Sequence, residues 1–302
     1  MPADQASFEG VITAITTPMQ DDGSIDLAPI PALVDFQVDG GISAVMVGGT
    51  AGEFAYQNTD ERIAVLEAFI EASRDRLPVI MQAGALRTDD AVRMAKRAED
   101  LGAAAVLLIT PHYEALPMSD IRAYVSEVRG AAPSLPFMLY NSPSVTGVDI
   151  GNAELVSLRA ELDIQYVKDA RGNFSEYIRC LADPAAPQLV GGLDLHLLGA
   201  FAYGARTAIT GASTFIPEIV VDLHRAAVME ADLPRAREVW TRLYPILNHI
   251  LLNGYNGLMK AGCAMRGIPV GAPRKPGAPA SAESTAQLAQ LLRNAGIPLT
   301  VN

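Results

Sequence analysis

The chain has 302 residues, half of them apolar and 19% charged, enough to bury a large core and unlike the composition of a disordered segment. A net charge of −11 leaves no basic surface for a phosphodiester backbone, which argues against nucleic acid as a partner, and no apolar run reaches the roughly 18 residues of a membrane helix. The opening MPADQASFEG has no signal-peptide pattern, and Cys180 and Cys263 form no CxxC, so the expectation is a cytoplasmic protein with reduced core thiols.

Short β-rich runs alternate with segments of helical period. GVITAITTP (10–18) reads as the first strand, with a helix near 28–39 behind it. ISAVMVGG (42–49) precedes a helix near 59–75 whose cap is Asn58 or Thr59, with acidic residues in its first turn. LPVIMQAG (77–84) gives way to TDDAVRMAKRAEDLG, with Thr88 as cap and Gly102 as stop. AAAVLLIT (103–110), LPFMLYN (135–141), IQYVK (164–168), PQLVGG (187–192) and RTAITG (206–211) complete eight strand–helix alternations. The strands are continuous apolar runs, as in a parallel sheet buried on both faces, and eight such units predict an α/β fold, a (β/α)8 TIM barrel over residues 1–229. No GxGxxG follows the first strand, which counts against a doubly wound open sheet. Residues 230–302 carry helical pattern, interrupted by the Pro/Gly linker GIPVGAPRKPGAPAS, and predict a C-terminal helical extension.

In such a barrel chemistry gathers where the strands end. Strand 2 ends in GGTAGE, where Thr50 sits beside glycines and the backbone N–H groups around Gly49 and Ala51 are free to hold an anion. Strand 4 ends in TPHYE, strand 5 in YNSPSVTG, and strand 6 in Lys168. A lysine closing an apolar strand is ordinarily the first solvated residue after it, and Gly191, Gly192 and Gly211 could equally form a phosphate cradle after strands 7 and 8. Taken together, a lysine, two tyrosines and a threonine at one mouth fit amine catalysis better. Burial among Ile164, Tyr166 and Val167 disfavours the ammonium form of Lys168 and frees the amine to attack a ketone, while a tyrosine relays protons. The four histidines make no HxH or HxxxH pair, so no metal site is expected.

From GVITAITTPMQDDGSID through GGTAGEF, TPHY, YNSPSVTG and VKDA to KAGCAMRGIPVGAPRKP, nearly the whole chain resembles the dihydrodipicolinate synthase / N-acetylneuraminate lyase family of pyruvate-dependent class I aldolases. The resemblance implies Lys168 as the Schiff-base lysine, so that no external cofactor is needed. It implies Tyr140 as the catalytic tyrosine and Thr50 as the hydroxyl linking it to a second tyrosine, Tyr113, which in many members reaches across a subunit interface. Backbone at Gly192 and Ile209 falls near the bound keto acid, and a tetramer of two tight dimers is implied.

The departures narrow the substrate. Dihydrodipicolinate synthases carry an arginine where Val145 stands, and a valine makes no charged fork to the carboxylate of aspartate semialdehyde. GTTGE becomes GTAGE, which removes a hydroxyl at Ala51 but keeps its N–H. Sialic-acid lyases have a threonine and a glutamate where Ala170 and Leu195 stand, although Asp194 matches their aspartate. The resulting expectation is an aldolase or dehydratase for a 2-oxo acid, such as a 2-keto-3-deoxy sugar acid or a 4-hydroxy-2-oxo acid, with a small aldehyde as partner. Dihydrodipicolinate synthesis, a non-catalytic ligand-binding role and a phosphate-binding barrel enzyme without a Schiff base stand as alternatives.

Overall fold

The computed structural model describes residues 8–300. Residues 1–7, most of the stretch with no signal-peptide pattern, and residues 301–302 at the end of the helical extension lie outside the described residues. Eight strands close into one barrel in sequence order: β1 (Gly10–Ala14), β2 (Ala44–Val47), β3 (Val79–Gln82), β4 (Ala105–Ile109), β5 (Phe137–Asn141), β6 (Tyr166–Asp169), β7 (Gln188–Gly191) and β8 (Thr207–Thr210). Every neighbouring pair is parallel, and β8 closes on β1 with Gly10 opposite Thr207 and Ile12 opposite Ile209. The strands are buried almost throughout, because helices cover their outer face and side chains fill the inner one.

The helices are α1 (Ile30–Asp39), α2 (Thr59–Ser73), α3 (Thr88–Asp100), α4 (Met118–Ala131), the short α5 (Pro143–Thr146), α6 (Asn152–Leu162), α7 (Phe174–Ala182), α8 (Leu197–Ala202), α9 (Pro217–His224), α10 (Leu233–Leu252), α11 (Tyr255–Met265) and α12 (Ala282–Asn294). Asn58 caps α2 in a reciprocal box with Glu61, satisfying two N–H groups that the first turn leaves open. The expected cap of α3 is corrected: Thr88 is already helical, and Arg87 holds the cap position with no side-chain bond. Asp89 and Asp90 in the first turn supply the negative charge that the helix N-terminus favours. Gly102 follows that helix at φ +77°, as a stop residue should.

After α9 the chain runs on through a π-turn to Met229, and α10, α11 and α12 then pack on one another and against the barrel. Leu243, Leu247, Ile250, Leu258 and Met259 belong to the same apolar core as the strands. The linker after α11 returns to the loop behind β1, where Met19 N–H donates to Val270 O at 3.0 Å. This packing carries the end of α10 and the start of α11 to the C-terminal mouth of the barrel. No helix among the described residues is long and apolar enough to cross a membrane.

Candidate active site

A cavity of about 470 Å³ opens at the C-terminal ends of the strands, with Lys168 and Tyr140 in its wall. A hollow of similar size bordered by Glu9, Arg159 and Arg206 lies at the opposite strand ends. Register brings the lysine and tyrosine together: Tyr140 on β5 is the direct partner of Lys168 on β6, and parallel neighbours at the same register face the same way. Lys168 Nζ lies 4.1 Å from the Tyr140 ring centroid, and the lysine is only 6% exposed. A solvated strand-end lysine is therefore not what this fold contains.

The residues around the pair show why the local sequence takes this shape. Asn141 points away from Tyr140 and ties down the following loop, donating to Ile150 O and accepting from Ile150 N–H. Pro143 starts α5 and Gly147, at φ +71°, ends it, so the turn holds Val145 at the cavity rim, 41% exposed. Asp169 takes a fork from Arg171, whose Nε lies 2.8 Å and Nη2 2.5 Å from Oδ2, and both side chains are almost fully buried. A third Arg171 nitrogen binds Asn152.

The glycines weighed as a phosphate cradle have other duties. A Cβ at Gly192 would lie 2.7 Å from Asp169 O and 3.0 Å from Lys168 Cγ, so the bare backbone makes room for the lysine stem. A Cβ at Gly211 would lie 2.0 Å from Tyr255 Oη, so this glycine admits a phenol from α11 into the mouth.

Most of the expected site residues meet here. Thr50, Ala51, Tyr140, Val145, Lys168, Gly192, Asp194 and Ile209 all line the cavity. Gly49 supports the same loop, its carbonyl accepting from Phe54 N–H at 3.3 Å. Tyr113 does not join them. It is 88% exposed and borders a separate hollow with Leu86, Pro111 and Leu116. Ala170 and Leu195 also face the cavity, together with Leu193, Leu247 and Leu251, so one wall is largely apolar. Lys168 is the only lysine or arginine among the lining residues.

Loss of solvation raises the Asp194 carboxyl above its ordinary value, and the nearby Lys168 opposes that shift. Tyr255, unforeseen from sequence, is held well above the ordinary tyrosine value by burial, with Asp194 and Tyr140 adding to it. Among the described residues no group of three or more His, Cys, Asp or Glu side chains is arranged to hold a metal ion. What the cavity offers is an enclosed amine, two phenols and a carboxyl around a volume suited to a small organic acid.

Behind the mouth lies a second feature missing from the sequence reading. Lys260 of α11 pairs with Glu53 of the β2 loop at 3.0 Å, both side chains buried, and also donates to Thr17 O and Ala272 O. Glu53 takes φ +59° and accepts from Arg274 N–H, so one ion pair joins the β1 loop, the β2 loop, α11 and the linker.

A family model described as the dihydrodipicolinate synthetase family matches residues 7–295. A 4-hydroxy-tetrahydrodipicolinate synthase from an Exiguobacterium strain is 32% identical over 282 residues, 93% of this chain and 96% of that protein. The crystal structure of dihydrodipicolinate synthase from Aquifex aeolicus superposes with a TM-score of 0.91 at 27% identity, covering 97% of this chain and 100% of that one. Proteus mirabilis N-acetylneuraminate lyase superposes at 0.88 with 25% identity, over 96% of this chain and 99% of that one.

Proposed function

The chain is an enzyme of the dihydrodipicolinate synthetase family, and from that premise we propose that it makes or breaks a bond beside the ketone of a 2-oxo acid through an imine on Lys168. The observation that carries this reading is the enclosed Lys168 amine against the Tyr140 ring, at the mouth of a barrel that concentrates chemistry there. The amine adds to the C2 ketone of pyruvate and water leaves, giving an iminium. Loss of a C3 proton gives an enamine, which attacks an aldehyde; the reverse sequence cleaves a 4-hydroxy-2-oxo acid. Tyr140, whose ring lies against the amine, supplies the phenol to carry those protons. The covalent lysine makes an external cofactor unnecessary. Free, buried Cys180 and Cys263 are consistent with a reducing cytoplasmic setting.

We take the substrate to be a 2-keto-3-deoxy or 4-hydroxy-2-oxo acid. The family resemblance favours aspartate semialdehyde as the aldehyde, but its carboxylate would find Val145 in place of an arginine and Asp194 nearby. Arg171, the other candidate cation, is already committed to Asp169. Tyr113 is assigned to the site of a neighbouring copy in a dimer of dimers, since it lies outside its own cavity.

The test is capture. Borohydride in the presence of pyruvate should add the mass of a reduced pyruvyl group to the peptide containing YVKDAR, and Lys168→Ala should abolish it. An adduct on another lysine, or none with any 2-oxo acid, would overturn the mechanism.

A further inference from the structure

Tyr255 opens α11 directly after Gly254, whose φ of +110° turns the chain out of α10. Its phenol reaches back over the end of β8, against the space that Gly211 leaves by having no side chain. It lines the cavity with Lys168, Tyr140 and Asp194, and no hydrogen bond to another described residue satisfies its hydroxyl. Lys168 thus shares its cavity with two phenols. Tyr140 stands on the β5 side, and Tyr255 stands over β8, with Asp194 between them in the turn after β7. Tyr140 lies against Nζ and serves the imine. A second phenol on the same wall, beside Gly211, is then left for the part of a substrate beyond C3. Burial keeps that phenol protonated, so it acts there as a donor and not as a base.

We propose that Tyr255 contacts substrate, donating a hydrogen bond to the oxygen on C4 of the 2-oxo acid, which is the aldehyde oxygen of the acceptor in the condensing direction. No proton changes owner in this contact: Tyr255 orients the oxygen and selects acids that carry one at C4. The inference rests on the Schiff-base reading of Lys168 and deepens it by naming the feature of the substrate that is recognised.

The experiment compares 4-hydroxy-2-oxopentanoate with 2-oxopentanoate, which lacks the hydroxyl, by the concentration giving half-maximal borohydride trapping on the Lys168 peptide. Intact and pyruvyl adducts are counted together for the hydroxylated acid. The wild-type enzyme should trap the hydroxylated acid at about tenfold lower concentration, the factor expected of one enclosed hydrogen bond. Tyr255→Phe should equalise the two acids, with a far-ultraviolet circular dichroism spectrum like the parent's to report that the variant is folded. Gly211→Ala, which displaces the phenol, should lose the same preference. Equal trapping of both acids by the wild type, or a preference that survives in Tyr255→Phe, overturns the assignment of Tyr255 and leaves Lys168 untouched. Absence of any adduct on Lys168 overturns the parent reading and this one with it.

Discussion

At the scale of single residues, Val145 decides most about the substrate. Bringing the acceptor's carboxylate into the cavity, in addition to that of the 2-oxo acid and with no cation placed for it, costs several kcal/mol. Condensation of pyruvate with aspartate semialdehyde is therefore expected to run at least about a hundredfold below a dedicated synthase, or roughly 2.7 kcal/mol in the barrier. Val145→Arg should recover about tenfold of that. A coupled assay for the cyclised product, beside a pyruvate-release screen over 4-hydroxy-2-oxo acids, measures both; efficient synthesis by the wild type would return the relatives' reaction to first place. Lys168 and Tyr140 stood out as candidates in sequence because each lies near the end of an apolar strand, and register seats one beside the other. Tyr255 was not legible. It belongs to a helical stretch with no strand pattern, and its place in the mouth is set by how α10 and α11 pack on the barrel, a tertiary fact. The glycine that admits it, Gly211, was visible at the end of β8, but a bare glycine does not say what fills the space beside it.

At the scale of elements, the loops after β1 and β2 and the linker after α11 depend on one buried pair. Glu53 sits in left-handed backbone, which a non-glycine residue adopts only when its surroundings hold it there. Lys260 pairs with the carboxylate at 3.0 Å and donates to two carbonyls besides. Removing the lysine leaves a carboxylate buried without its partner, so Lys260→Met should destabilise the fold by about 3–5 kcal/mol, read from urea unfolding. The double variant Lys260→Met with Glu53→Gln should recover part of that loss. A single variant as stable as the parent would show that water reaches Glu53 and that the pair does not hold the loops. Local signals predicted the bounds of the regular elements well: Asn58 and Gly102 stand where cap and stop belong. Thr88 was misplaced by one residue because the acidic first turn of α3 makes a side-chain cap dispensable. The Glu53–Lys260 pair joins residues over two hundred positions apart, beyond the reach of any local pattern.

At the scale of the whole molecule, the closed barrel followed from counting strand–helix units, since eight parallel strands with short connections have few other ways to bury both faces. The proposed association of copies of the chain is less easily read. Tyr113 is 88% exposed beside Leu86, itself 53% exposed, and its ring turns to a hollow outside its own cavity. An exposed tyrosine and leucine at the barrel mouth mark a surface suited to a neighbour, whose site Tyr113 would then complete. Each chain carries a net charge of −11, so association must overcome mutual repulsion that salt screens. Sedimentation should therefore show assemblies that loosen on dilution at low ionic strength and tighten as salt is added. Activity per chain should fall in step with the appearance of monomer. Tyr113→Ala should lower activity even at concentrations where the assembly persists, because the residue that the neighbouring site lacks is the phenol and not the contact area. A monomer at every concentration with undiminished activity would remove Tyr113 from the mechanism, and each cavity would then have to be complete with the residues that line it.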